Sequence, residues 1–341
     1  MIHVEKVKLG IVGLGRLGKK HAEDIAFKIP NTELKAVCSV IKDEVDEALL
    51  NWNIEYGYTD YYEMLKNKEL NGIVIVSSST EHCKHAEAAL DAGFHVFCEK
   101  PLGLEISECK IVEKAVERNP GKVFFIGFMN RYDKSYMYAK KKIDEGFIGK
   151  PVLIRCYRLD PKKYVQSSIA FSNKSGGLFF DVIVHDIDIA RWFLKSDPVS
   201  VYSMGGCFLH EEFAKYNDID NGSISMQFEN GAMGLFYVGR TSTHGYHVET
   251  EIIGTNGSLK VGALSDQNAV TIYDEKGAVK EFNGWFIERY TDAFLNEKQE
   301  FVDCIQQNRK PEVTVYDATR ATEISFAAKE SLLTKKLLNF K

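Results

Sequence analysis

The sequence lacks the marks of a secreted, membrane-spanning or nucleic-acid-binding chain. Its longest apolar runs, such as Ile73-Val74-Ile75-Val76, are far too short to cross a bilayer. Met1-Ile2-His3-Val4-Glu5-Lys6 has neither the basic flank nor the apolar stretch of a signal peptide. Acidic residues outnumber basic ones by 48 to 43, and the charges are mixed along the chain. That balance offers no basic face for nucleic acid. Cysteines number seven, an odd count, with no Cys-x-x-Cys pair. Free buried thiols in a reducing cytoplasm are therefore expected rather than a disulfide framework. His82-Cys83-Lys84-His85 has metal-ligand residue types but no distant partner set. It is read as the opening of a helix, and no metal is expected. Repeats and low-complexity tracts are also missing.

What is present is an ordinary globular composition, 27% charged and 45% hydrophobic, over 341 residues. That length exceeds one ordinary core and predicts two domains, 1–128 and 129–341. From Lys6 to about Gly127, strands and helices alternate. Strands are expected at Val7–Val12, Glu33–Val40, Ile73–Val76, Phe94–Cys98 and Val123–Ile126. Helices are expected at Arg16–Ile29, Asp43–Asn53, Glu81–Ala92 and Ile106–Arg118. This rhythm implies an α/β fold with a doubly wound parallel sheet. Beyond it the pattern changes: a helix at Lys134–Glu145, a strand at Val152–Leu159 and a helix at Gly177–Leu194. Short alternating runs follow, punctuated by Glu229-Asn230-Gly231, Thr255-Asn256-Gly257 and Asp274-Glu275-Lys276-Gly277. Asn-Gly between alternating runs marks hairpins, so the second domain should carry a large, mainly antiparallel open sheet. Helices at Arg289–Gln307 and Asp317–Leu333 close the chain, the last with room to pack back on the first domain.

Gly13-Leu14-Gly15-Arg16-Leu17-Gly18 follows a strand and opens a helix. There glycines permit a tight turn and close approach to a pyrophosphate, and the helix N-terminus faces its charge. The motif points to a dinucleotide held by Gly13, Gly15, Arg16, Leu17 and Gly18. At the end of the second strand, where an NAD site usually carries an acid, stands Ser39 in Cys38-Ser39-Val40-Ile41-Lys42-Asp43. Lys42 is placed to meet a 2′-phosphate or is a plain surface charge, and Asp43 serves NAD from farther along. NAD and NADP both stay open. Ser78 and Thr80, after the Ile73–Val76 strand, belong to the same crevice.

Glu99-Lys100-Pro101 follows the strand His95-Val96-Phe97-Cys98. A lysine at that strand end is either a surface charge at a turn or a cation aimed into the cofactor crevice, able to stabilise a developing alkoxide. Asp181 and His185 are four apart on one expected helix and share a face, after Gly176-Gly177. They are read either as a general base with its carboxylate or as a surface ion pair beside Asp186 and Asp188. Zinc is a poor reading of three carboxylates and one histidine. Together these motifs read as a nicotinamide-dependent oxidoreductase.

At this point the chain resembles the Gfo/Idh/MocA oxidoreductases, and among them the inositol 2-dehydrogenases. The resemblance runs from the glycine turn through Gly93–Leu102, Gly127-Phe128-Met129-Asn130-Arg131-Tyr132-Asp133 and Gly176–Asp188. It implies a Rossmann domain, then an α/β domain through whose sheet members pair as dimers or tetramers. It implies Lys100, Asp181 and His185 as the catalytic group, with Glu99 and Lys100 also meeting the cofactor. Arg131, Asp160 and Tyr246 become candidate ligands for substrate hydroxyls. The implied substrate is a cyclic polyol or sugar, with myo-inositol first and an NADPH-dependent sugar reductase or a nucleotide-sensing regulator as alternatives. Ser39 and Asn130 depart from the family pattern.

Overall fold

Val7–Val12 (β1) and Gly72–Ile75 (β4) are apolar on both faces and almost wholly buried, a state that only helices on both sides of a sheet supply. The computed structural model describes residues 5–264 and 266–340; Met1–Val4, where the leader was sought, lie outside them. Between β1 and β4 come α1 (Arg16–Phe27), β2 (Thr32–Cys38), α2 (Lys42–Trp52), β3 (Tyr56–Tyr58) and α3 (Tyr61–Met64). After β4 follow α4 (His82–Asp91), β5 (His95–Cys98), α5 (Ile106–Arg118) and β6 (Phe124–Ile126). The six strands form one parallel sheet in the order β3-β2-β1-β4-β5-β6. The order reverses between β1 and β4, which places the ligand crevice at their carboxyl ends.

Downstream lie α6 (Lys134–Asp144), β7 (Pro151–Pro161), α7 (Val165–Ser175), α8 (Leu178–Asp181) and α9 (Val184–Leu194). Then come β8 (Pro198–Gly206), β9 (Asn221–Phe228), β10 (Met233–Ser242), β11 (His247–Gly254) and β12 (Ser258–Leu264). The chain ends with β13 (Asp266–Asp274), β14 (Gly277–Phe282), α10 (Phe286–Arg289), α11 (Thr291–Gln306), α12 (Val315–Thr334) and β15 (Leu338–Asn339). A seven-stranded sheet runs β12-β11-β7-β10-β9-β8-β15, antiparallel except for β7 beside β10. All three turn signals fall where strands reverse: β9 to β10, β11 to β12 and β13 to β14.

The chain divides into two compact units, and the division is not a single cut. The first comprises Met1–Met129 with Asp292–Thr322; the second comprises Asn130–Thr291 with Glu323–Lys341. Thus α11 belongs to the Rossmann unit, where Phe301 meets Phe97 and Phe125 edge-on. A second departure concerns the helix expected over Gly177–Leu194. It is two helices, α8 and α9, interrupted at Val182-Ile183. The consecutive β-branched residues Val182-Ile183-Val184 are stiff at χ1 and crowd a helical turn. The helix α7 carried no strong apolar period and was not expected.

Candidate active site

In the first unit the glycine turn is a response to crowding. Gly13 has φ +94, and a Cβ there would lie 2.4 Å from Val76 O. A Cβ on Gly18 would lie 1.9 Å from Gly13 O. Gly15 differs: nothing of the protein lies within 4 Å of its Cβ position. It is the N-cap of α1, with no side-chain cap and no acid in the first turn. The amides of Arg16 and Leu17 open a twelve-residue helix beside the β1/β4 reversal, with room over Gly15. That is the donor set a pyrophosphate needs, and a dinucleotide fits it. Ser78 and Thr80 lie in the loop after β4, their hydroxyl oxygens 3.1 Å apart.

Ser39 follows β2, next to the glycine turn, since Gly13 N–H donates to Cys38 O at 2.9 Å. Its hydroxyl donates to Glu44 Oε2 at 2.6 Å. A carboxylate, that of Glu44 in the first turn of α2, thus stands against Ser39. The signal was an acid five residues past Ser39, beyond the position usually inspected. Lys42 is a surface charge: its side chain is 73% exposed and donates to Asp46 at 2.7 Å.

Lys100 follows β5 at its carboxyl end and is half-buried. Glu99, expected at the cofactor, instead turns inward. It is 4% exposed, accepts from His21 Nε2 at 2.8 Å and from the Lys100 amide at 3.1 Å. His82 and Cys83 open α4, as read, and His82 lies between Pro101 O and Ser77 O.

In the second unit, buried arginines face aspartates, among them Arg131, Arg158 and Arg240. Arg131 donates to Asp188 through Nε at 2.8 Å and Nη2 at 2.6 Å. Arg158 meets Asp186 in the same two-pronged manner at 2.7 and 2.9 Å. Arg240 donates to Asp218 at 2.7 Å and to Asp181 at 3.4 Å. Burial works against the charge of Arg158 and Arg240, and the facing carboxylates more than offset it. Two expected substrate ligands have partners within the protein. Arg131 commits its guanidinium edge to Asp188. Tyr246 is 4% exposed, and its hydroxyl accepts from Arg158 at 3.2 Å. Asp160 is half-buried at the end of β7, within electrostatic reach of Arg240 and Tyr246.

Asp181 ends α8 with its side chain 26% exposed, and His185 lies buried in the first turn of α9. They do not share one continuous helix, so i, i+4 spacing alone does not bring them together. Asp186 and Asp188 serve the arginines instead. The Gly176-Gly177 pair, read as room for a ligand, makes room for Asp218. A Cβ on Gly177 would lie 2.7 Å from Asp218 Oδ1, which accepts the Leu178 amide that opens α8, also at 2.7 Å. Arg158 and Arg240 were missed. Arg158 was detectable, being a charge in inward register with Ile154 and Cys156 on an alternating strand.

Residues 7–128 match a family model described as an oxidoreductase family with an NAD-binding Rossmann fold. Residues 136–260 match the GFO/IDH/MocA C-terminal domain. A scyllo-inositol 2-dehydrogenase (NAD(+)) of Bacillus subtilis is 33% identical, over 96% of this chain and 94% of that protein. A scyllo-inositol dehydrogenase of Lactobacillus casei, solved with bound NAD(H) and scyllo-inositol, is 38% identical with TM-score 0.95, covering 98% and 99%. A myo-inositol 2-dehydrogenase of Lactobacillus plantarum is 35% identical with TM-score 0.96, covering 99% and 100%. From its glycine turn to its antiparallel sheet, the chain belongs to the Gfo/Idh/MocA family of NAD-binding oxidoreductases.

Proposed function

We propose that this protein oxidises one secondary hydroxyl of an inositol, with NAD as the acceptor. The reading is carried by end-to-end likeness to inositol dehydrogenases together with Lys100 at the strand end beside the dinucleotide crevice. His185 takes the hydroxyl proton on its ring, because an imidazole nitrogen can act as acceptor and then as donor. Asp181 orients that ring, and Arg240 in turn steadies Asp181. The Lys100 ammonium donates to the substrate oxygen as negative charge builds there. Asp160 holds a neighbouring hydroxyl. Bound through the glycine turn, the nicotinamide supplies the hydride acceptor.

NAD is favoured over NADP by the charges around Ser39. The Glu44 carboxylate stands at the strand end, and the nearby Lys42 and Lys19 already face Asp46 and Glu47. A 2′-phosphate there meets like charge without a released cation. The test is an initial-rate panel of scyllo-inositol, myo-inositol, glucose and xylose with NAD and NADP, for wild type and Glu44→Gln. Fast inositol turnover with NAD is expected. The variant should raise the NADP-to-NAD ratio of kcat/KM about tenfold, equivalent to about 1.4 kcal/mol. No turnover of either inositol overturns the substrate, and an unmoved ratio overturns the role of Glu44.

Two further readings belong here. The seven free cysteines suit a reducing cytoplasm. The seven-stranded sheet exposes Met204, Met233, Leu235 and Tyr237 on one face, and we propose that a second copy covers this face. Light scattering is expected to give a dimer or tetramer. A Leu235→Glu variant should shift it toward monomer, and an unchanged mass would reject this face.

A further inference from the structure

We propose that His21 and Lys298 are positioning residues for Lys100, acting through the buried carboxylate of Glu99; the proposal rests on Lys100 being catalytic. Five ionisable groups lie together within the first unit, almost wholly out of water. They come from three elements: His21 and Asp24 on α1, Glu99 after β5, and Glu297 and Lys298 on α11. Four of them, all but Glu297, form a continuous chain. Asp24 Oδ2 lies 3.3 Å from Lys298 Nζ, and Lys298 Nζ lies 3.1 Å from His21 Nδ1. His21 Nε2 lies 2.8 Å from Glu99 Oε1, and Glu99 Oε2 accepts the Lys100 amide at 3.1 Å.

The protonation states are consistent along this path. Burial and the Lys298 ammonium hold His21 below the ordinary imidazole range, so its ring is neutral. The neutral ring then has one tautomer that satisfies both neighbours. Nδ1 accepts from Lys298, and Nε2–H donates to Glu99. Burial works to raise the Glu99 carboxyl, but His21 and Lys100 outweigh it and keep the group ionised. Burial, reinforced by the Glu99 charge, raises Glu297 well above the carboxylate range, so it sits there as a neutral acid. His21, Glu99 and Glu297 place their ligand atoms within 4.8 Å of one another. With an ammonium at His21 Nδ1, the group is a hydrogen-bonded relay of charge rather than a cation site.

Such a cluster is costly for stability alone, since each buried ion gives up its hydration and an apolar core of equal volume usually does as well. Its geometric product is local. The Glu99 amide donates to Ile75 O at 2.9 Å, which completes the β4–β5 ladder. One residue on, the Lys100 amide has passed the ladder and is held by the Glu99 carboxylate. The relay therefore fixes the peptide from which the Lys100 side chain departs. Gly127 belongs to the same device. A Cβ there would stand 3.1 Å from the Glu99 carboxylate, so the glycine after β6 leaves room for it.

The test compares full-length wild type, Lys100→Met, His21→Leu and His21→Gln. A glutamine amide offers one donor and one acceptor, as the neutral imidazole does. His21→Leu is expected to lower kcat about 10- to 100-fold, the scale set by small misplacements of a reacting group. KM for NAD and the NAD dissociation constant should stay near wild type, and His21→Gln should recover most of kcat. Normal kcat in His21→Leu with an inactive Lys100→Met overturns the relay and spares Lys100. An active Lys100→Met overturns the catalytic reading itself. If His21→Leu does not fold, Lys298→Gln is read by the same split between kcat and KM. A loss in NAD affinity alone rejects the proposal.

Discussion

Replacing Lys100 with methionine is expected to lower kcat about 100- to 1000-fold, as removal of one oxyanion donor does elsewhere. Methionine keeps the length and apolar stem of lysine and deletes only the ammonium. The glycine turn, the α1 amides and Ser39 are untouched, so NAD binding should persist. A drop in kcat and kcat/KM together marks an interaction made mainly in the transition state. The effect should not depend on which inositol is offered, because the ammonium meets the reacting oxygen common to all. Stopped-flow measurement of reduced cofactor, beside a fluorescence titration of NAD, separates chemistry from binding. A variant retaining turnover within about threefold of wild type would remove Lys100 from the mechanism. It would shift weight to the nucleotide-sensing reading that the resemblance left open.

The second large effect is on stability. Asp186 and Arg158 are each 1% exposed and joined by two hydrogen bonds. Asp186→Asn leaves the guanidinium buried without its counter-charge, which costs about 3–5 kcal/mol. For a domain of this size that is a fall in Tm of about 6–20 °C. The asymmetry of the pair makes a sharper test. A double variant, Arg158→Met with Asp186→Leu, removes both charges and should recover most of the loss, because neither group is left to seek a partner. Tyr246 will lose its donor in that variant, so full recovery is not expected. Calorimetry of the three proteins decides the matter. A single variant melting within about 2 °C of wild type would show that water reaches the guanidinium.

The features legible in sequence were those written in local periods. Buried parallel strands announce themselves as β-branched runs, and three turn signals marked three hairpins, because a turn's backbone demands are met by the residues within it. The glycine turn was readable for the same reason: a backbone fold within six residues explains its spacing. Ser39 was correctly seen to lack a carboxylate, but the one that meets it from α2 depends on how the chain doubles back over the strand end.

What the tertiary structure decided were the partnerships of charges. Asp181, Asp186 and Asp188 look alike along the chain, and each faces a different arginine, from β10, β7 and the segment before α6. Arg131 and Tyr246 have the chemistry of sugar ligands but are drawn into the scaffold, since a buried guanidinium needs its counter-charge nearby. Glu99, adjacent to Lys100 and expected to face the cofactor, turns the other way to His21, which in turn meets Lys298, nearly two hundred residues downstream of Glu99. Sequence alone therefore determined the sheet architecture, the dinucleotide turn and the residue types available for chemistry. Only the three-dimensional structure determined which of those charges are engaged by one another, because a carboxylate's role depends on the cation that folding brings to it.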